Sequence, residues 1–251
     1  MKVVFTFGRF NPPTIGHEKL IKKVESVAGG ADFLVYPSWS QSPEKDPMPH
    51  NVKVKYMKLA FRRYADKIVS DPKCKTAIHV VTKLYDAGYT DVTMVVGGDR
   101  VSDFNKLINK YNGVKSTHGF YEFANGVKVV SAGERDPDAT GVEGMSASKM
   151  RKAAVDGDFD SFKMGIPKVM PDKMKRQMFI DLQKHMKVEV SERALTPAEE
   201  KKKEEIVLSM KKKVADFKRK YGAKWKEVMY ATATKMAKNE ERLSFSQFRK
   251  L

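Results

Sequence analysis

Ten residues near the N-terminus bring together types suited to phosphate chemistry: Gly8-Arg9-Phe10-Asn11-Pro12-Pro13-Thr14-Ile15-Gly16-His17. They read as a strand end, a tight loop with two prolines, and the start of a helix. The exposed N–H groups and positive dipole end of such a helix attract anions. Gly8 and Gly16 let a phosphate approach the backbone closely. Thr14 and His17, three residues apart, face the loop from one side of the first turn. His17 can donate to a phosphate oxygen or, if charged, stabilise a transition state. A second group, Met145-Ser146-Ala147-Ser148-Lys149-Met150-Arg151, sets two hydroxyls at another helix start and a forked donor one turn in. A third, Gly97-Gly98-Asp99-Arg100, follows a buried strand, where a Rossmann-like sheet holds a nucleoside.

The elements that must position these groups alternate. Strands are predicted over Lys2–Phe7, Phe33–Tyr36 and Asp91–Val96, and helices over Thr14–Ala28, Val52–Ala65, Thr76–Ala87, Val101–Tyr111 and Ser146–Val155. Asn125-Gly126 between Tyr121–Phe123 and Val127–Val130 predicts a hairpin. Pro37–Asn51 and Gly133–Gly144 read as loops. The alternation predicts an α/β, Rossmann-like, mainly parallel sheet flanked by helices over residues 1–165. Residues 166–251 read as a small basic all-helical region: a helix over Asp172–Met186, a linker near 187–198, then basic helices over Glu199–Lys220 and Ala223–Lys238. The boundary is expected between residues 165 and 195.

The 251 residues carry a formal net charge of +17. Residues 166–251 hold 23 Lys and Arg against 12 Asp and Glu, whereas residues 1–165 hold 25 against 19, so the excess concentrates in the last third. A basic surface of this kind favours nucleic acid or phosphorylated partners, or is simply a solvated lysine-rich face. Cys74 is the single cysteine, which excludes an internal disulfide and fits a reducing compartment. No apolar run approaches the ~18 residues of a membrane span, and Met1–Phe7 does not read as a signal peptide. These features predict a soluble, cytoplasmic protein.

Taken together, the three groups resemble the HxGH nucleotidyltransferase superfamily. Thr14-Ile15-Gly16-His17 matches its first tetrad. Gly8-Arg9-Phe10 is most similar to nicotinamide-mononucleotide (NMN) adenylyltransferases, while Thr in place of the first His is more like phosphopantetheine adenylyltransferase. Against the late motif Ile-Ser-Ser-Thr-x-x-Arg, Ser146 and Arg151 match, and Met145, Ala147 and Ser148 are replacements. Gly97 and Asp99 resemble the Gly-x-Asp turn of several members.

The resemblance implies in-line attack of an acceptor phosphate on the α-phosphorus of ATP or CTP, with pyrophosphate leaving and Mg²⁺ bridging the phosphates. Thr14 would orient the reacting phosphates and His17 would bind the α/β-phosphates, with Arg151, Ser146 and Ser148 on the β/γ-phosphates. Gly8, Arg9, Phe10, Gly16, Gly97 and Asp99 complete the nucleotide site. Trp39, in the loop after the second strand, is a candidate to stack on an acceptor ring or a core anchor. Arg135 is a candidate for the acceptor's phosphate, and Asp99 is equally suited to cap the next helix. NMN is the acceptor read first, ahead of glycerol phosphate with CTP and of phosphopantetheine. The non-enzymatic reading is a structural or nucleic-acid-binding protein with a degenerate nucleotide site. Residues 221–238 also resemble a short basic module at the ends of tailed-phage proteins. That resemblance implies a phage-encoded enzyme in the host cytoplasm or packaged in the virion, with the basic helices contacting nucleic acid, another phage protein or a second copy.

Overall fold

The computed structural model describes residues 1–133, 145–186, 197–211, 214–222 and 225–238. The chain divides into two compact units, Met1–Glu189 and Val190–Leu251.

In the first unit four strands form one parallel sheet in the order β2-β1-β3-β4: β1 (Lys2–Gly8), β2 (Asp32–Pro37), β3 (Asp91–Val96) and β4 (Lys128–Ser131). Register is set with Phe5 opposite Leu34 on one side and Met94 on the other. Strand alternation sends Val3 and Phe5 to one face and Val4 to the other. Val4 meets Val24 and Ala28 of α1 (Ile15–Ala28), whereas Val3 and Phe5 meet Val80, Val81 and Leu84 of α3 (Ala77–Asp86) and Ile108 of α4 (Val101–Lys110). The sheet is therefore covered on both sides, the expected doubly wound arrangement. Gly29 ends α1 in the left-handed conformation (φ 58°), which a glycine adopts at no steric cost.

A third core joins α1 and α2 (His50–Ala60) to α5 (Ala147–Val155), α6 (Phe159–Met164) and α7 (Asp172–His185). Met178, Phe179 and Leu182 of α7 are buried there with Phe10, Met57 and Met150. The first unit thus extends past residue 165 to Glu189, with the apolar face of α7 buried in this core. The helix predicted over Val52–Ala65 starts at His50, stops at Ala60, and continues as a 3-10 turn at Arg62–Tyr64.

The expected hairpin does not form. Among the described residues Tyr121–Phe123 make no strand, and β4 pairs in parallel with β3. A tight turn does form one residue earlier, at Ala124 and Asn125, closed by Gly126 N–H donating to the Phe123 carbonyl. The backbone beside it is held by α4 and the turn that follows it: Asn109 bonds Val127 N–H and C=O at 2.8 and 3.0 Å, and Asn112 bonds Phe123 at both groups. Side-chain amides thus take the place of a strand partner.

Among the described residues the second unit holds three helices: α8 (Pro197–Lys211), α9 (Val214–Tyr221) and α10 (Trp225–Lys238). Pro197 and Ala198, expected in the linker, open α8, as suits proline in a first helical turn. Val207 and Met210 pack on Met229 and Ala233, with Ile206, Phe217 and Trp225 against them. Among the described residues no helix is long and apolar enough to cross a membrane.

Candidate active site

The first group lies at the C-terminal ends of the parallel strands. β1 ends at Gly8, whose carbonyl accepts from Ser38 N–H at 2.7 Å. A Cβ on Gly8 would lie 3.2 Å from the Phe10 ring, tighter than an ordinary contact. Phe10 takes a positive φ of 50° and is buried, with its ring 4.9 Å from the His17 ring. Phe10, expected against the nucleotide, instead backs His17. Arg9 between them is exposed.

Thr14 caps α1. Its hydroxyl oxygen accepts from His17 N–H at 3.2 Å, and Thr14 N–H donates to His17 Nδ1 at 3.1 Å. Nδ1 is occupied as an acceptor, which leaves the ring proton of a neutral imidazole on Nε2. Thr14 is itself buried and faces His17, so its reach to a phosphate runs through that ring. The helix start is partly used within the protein: Ile15 N–H donates to the Gly165 carbonyl at 2.9 Å. That contact brings the end of α6 so close that a Cβ on Gly165 would lie 2.5 Å from Met150 Sδ.

The second group comes to the first. Ser146 caps α5, accepting from Lys149 N–H at 3.1 Å. Arg151, one turn in, donates from Nη1 to the Asn11 carbonyl at 2.8 Å and from Nη2 to Ser148 Oγ at 3.0 Å. Residues 140 positions apart thus form one surface. The oxygens of Ser146 and Ser148 act here as acceptors, so each hydroxyl keeps its own proton to donate. Ala147 supplies no third hydroxyl.

Beneath this surface lies a buried group not read as functional from the sequence. Asp46 accepts from Asn11 Nδ2, from the Ser38 and Ser40 hydroxyls, and from Lys53 Nζ at 2.9 Å. Burial pulls the Lys53 ammonium below the usual lysine range, Asp46 opposes this, and the charge of Arg9 adds to it. Burial lowers Arg151 likewise, with Arg9 adding and Asp46 opposing. Arg9 acts on both Lys53 and Arg151, while Asp46 is the one carboxylate named as opposing it at each, a balance that favours an anion. The sequence held a signal for Lys53. It shares the buried stripe of α2 with Tyr56, Met57 and Ala60, and a cation on a core stripe requires a partner.

Gly97 and Asp99 lie past the end of β3 in a 3-10 turn. A Cβ on Gly97 would lie 2.9 Å from Asp99 Oδ1, so the carboxylate folds over the glycine. Asp99 does not cap α4, whose N-cap is Arg100 without a side-chain bond. Trp39 is stacked on His50 at 3.6 Å between ring centroids and 9° between planes. Burial holds His50 below the usual histidine range, with the Ser38 carbonyl opposing. Arg135 lies outside the described residues. Among the described residues no group of three or more His, Cys, Asp or Glu side chains is placed to hold a metal. The surface described is a set of donors and cations, which fits phosphate oxygens and not a bare cation.

The model of the family described as cytidylyltransferase-like matches residues 5–153, from β1 through most of α5. Over 127 residues the chain is 26% identical to the probable nicotinate-nucleotide adenylyltransferase of Acholeplasma laidlawii (strain PG-8A), covering 46% of this chain and 67% of that protein. In structure it is similar, with a TM-score of 0.43 and 11% identity over 99% of this chain and 73% of the other, to Thermotoga maritima TmcAL bound with alpha-thio ATP. The matched span contains both helix starts and the strand-end turn between them, and the chain belongs to the cytidylyltransferase-like family of the nucleotidyltransferase superfamily.

Proposed function

We propose that the protein transfers AMP from ATP to nicotinamide mononucleotide or its nicotinate relative, releasing pyrophosphate. The observation that carries the phosphate-transfer reading is the Arg151–Asn11 hydrogen bond, which makes the two helix starts one anion-binding surface. An oxygen of the acceptor phosphate attacks the α-phosphorus. That P–O bond forms as the bond to the bridging oxygen breaks, and its electrons leave on pyrophosphate. His17 donates its Nε2 proton toward the α/β-phosphates, Thr14 and Phe10 hold its ring, and Gly16 brings the backbone close. Arg151 and the hydroxyls of Ser146 and Ser148 hold the β/γ-phosphates, while Asp99 beside Gly97 takes the ribose. Catalysis is then positioning plus charge neutralisation. Mg²⁺ would arrive on the triphosphate and shield its oxygens, keeping most of its waters.

Gly8-Arg9-Phe10 and the adenylyltransferase relative support the acceptor assignment. So does Trp39, which with His50 would continue a stack onto a flat ring, with Arg135 on the acceptor's phosphate. The test is dinucleotide formation from ATP and either mononucleotide with Mg²⁺, beside CTP with glycerol 3-phosphate and ATP with phosphopantetheine. Turnover with either mononucleotide is the expected result. Turnover confined to another pair overturns the acceptor, and no turnover with any pair overturns the activity.

A further inference from the structure

Lys53 and Asp46 have no part in the roles above, yet they are among the most completely buried polar side chains described. A buried ion pair rarely adds stability over an apolar pair of the same size, so its place in the fold points to another use. That use is visible in what Asp46 holds. The Asn11 side chain is fixed at both ends: Nδ2 donates to Asp46 Oδ1 and to the Met48 carbonyl at 3.0 Å, and Oδ1 accepts from Met48 N–H at 3.3 Å. The Asn11 backbone carbonyl then accepts from Arg151 Nη1. One of the two described anchors of the Arg151 fork is thus set by a residue that Asp46 clamps, and Ser148 is the other.

We propose that Asp46 and Lys53 are positioning residues of the phosphate site: the buried pair fixes Asn11, and the Asn11 carbonyl aims Arg151 at the anion. This rests on the phosphate-site reading above. The chemistry explains both members. A carboxylate offers about four acceptor sites, and four donors converge on Asp46. An amide there would put its own N–H groups against some of them. Lys53 is needed because a lone buried carboxylate would offset the cations Arg9 and Arg151 and repel phosphate. The pair therefore supplies acceptors for Asn11 without costing the site its positive excess.

The test uses the full chain, with Asp46→Asn plus Lys53→Met as an uncharged pair, in the native and the Arg151→Ala backgrounds. Inorganic pyrophosphate is the probe, titrated by calorimetry, with adenylyl transfer measured in parallel and a thermal melt to check the fold. With Arg151 present, the uncharged pair weakens pyrophosphate binding by about tenfold. With Arg151→Ala, it weakens binding no further, since residues acting through one another are not additive. Equal losses in both backgrounds, or unchanged affinity in the folded variant, overturn the proposal. If the double variant does not fold, Ser40→Ala removes one donor from Asp46 at a more exposed position. Its two- to threefold loss, about a quarter of a logarithmic unit or more, must likewise vanish without Arg151. Native protein that binds pyrophosphate but transfers no nucleotide overturns the activity and leaves the binding comparison to decide the positioning role. Native protein that transfers nucleotide with additive losses overturns only the positioning role. Native protein that binds no pyrophosphate overturns both.

Discussion

Two helices of the first unit begin in the same way, and only one of them opens on the candidate site. Thr14 and His17 open α1, and Thr76 and His79 open α3. The two threonines have nearly the same backbone angles, φ −132° and ψ 166° against φ −133° and ψ 165°. Each hydroxyl accepts from the N–H of its histidine, at 3.2 and 3.3 Å, and each lies against that histidine's Nδ1, at 3.0 and 2.8 Å. What differs is the company. The second helical residue is Gly16 in α1 and buried Ile78 in α3, so only the first lets an anion near the backbone. His17 has Phe10 behind it on a loop whose Asn11 carbonyl holds Arg151. His79 meets another histidine, with its Nε2 3.5 Å from His118 Nδ1. A helix cap is a local device, whereas an anion site needs cations brought from elsewhere in the chain.

The largest effect should separate the two histidines. His17→Ala is expected to lower kcat by about a hundredfold or more, because in the proposed mechanism it removes a donor that acts in the transition state. His79→Ala, the same deletion from the same local geometry, should leave kcat within about twofold. Steady-state kinetics of both variants decide it. Equal losses would show that the second cap also serves the reaction, and normal turnover in His17→Ala would remove His17 from the mechanism.

Much of this was legible in the chain because the decisive signals are local. The three long strands and the helices starting after Thr14, Thr76 and Ser146 follow from side-chain alternation and capping residues, and both groups of the candidate site sit at helix starts that those capping residues mark. What escaped depends on distant partners. The hairpin at Asn125-Gly126 failed because Asn109 and Asn112 satisfy the backbone that a strand would have paired. The role of α7 in the third core of the first unit was hidden because an amphipathic helix does not say which core covers it. Asp46 lies in a proline-rich loop that reads as solvent-facing, and its burial depends on Asn11 and Lys53 arriving from other elements, with Ser38 from the far end of the same loop. Position 135 remains a sequence expectation.

A smaller effect tests whether the caps are alike in energy while unlike in function. Thr14→Val and Thr76→Val each remove a side-chain acceptor at an N-cap, so each should cost about 1 kcal/mol of stability. The two melting temperatures should fall by similar amounts. Turnover should fall only in Thr14→Val, because the variant keeps the backbone N–H on His17 Nδ1 but loses the hydroxyl that lies against the same atom at 3.0 Å. A loss of activity that tracked stability alone, equal in the two variants, would reduce Thr14 to a structural cap.

The smallest expected effect concerns acid and belongs to the second histidine. Burial holds His79 below the usual histidine range, and the charges of His118 and Lys75 push it further down. When the folded value lies below the unfolded one, the unfolded chain binds more protons in the interval between them. Stability is therefore fully present above the ordinary value of about 6.5 and declines as pH falls through it toward the folded value. His50 acts in the same direction, by burial and by the charge of Lys53, against the Ser38 carbonyl and Asp46. Asp71, Asp158 and Asp172 are held below the ordinary carboxylate value, so their contributions are lost only in much stronger acid. Between pH 7.5 and 5.5 the wild-type melting temperature should fall about one or two degrees more than that of His79→Gln. His118→Gln should give part of the same flattening, because it removes one of the two charges acting on His79. Thermal melts at the two pH values check both variants. If His79→Gln keeps the full acid loss while His50→Gln abolishes it, the sensitivity belongs to the Trp39–His50 stack and not to the cap of α3.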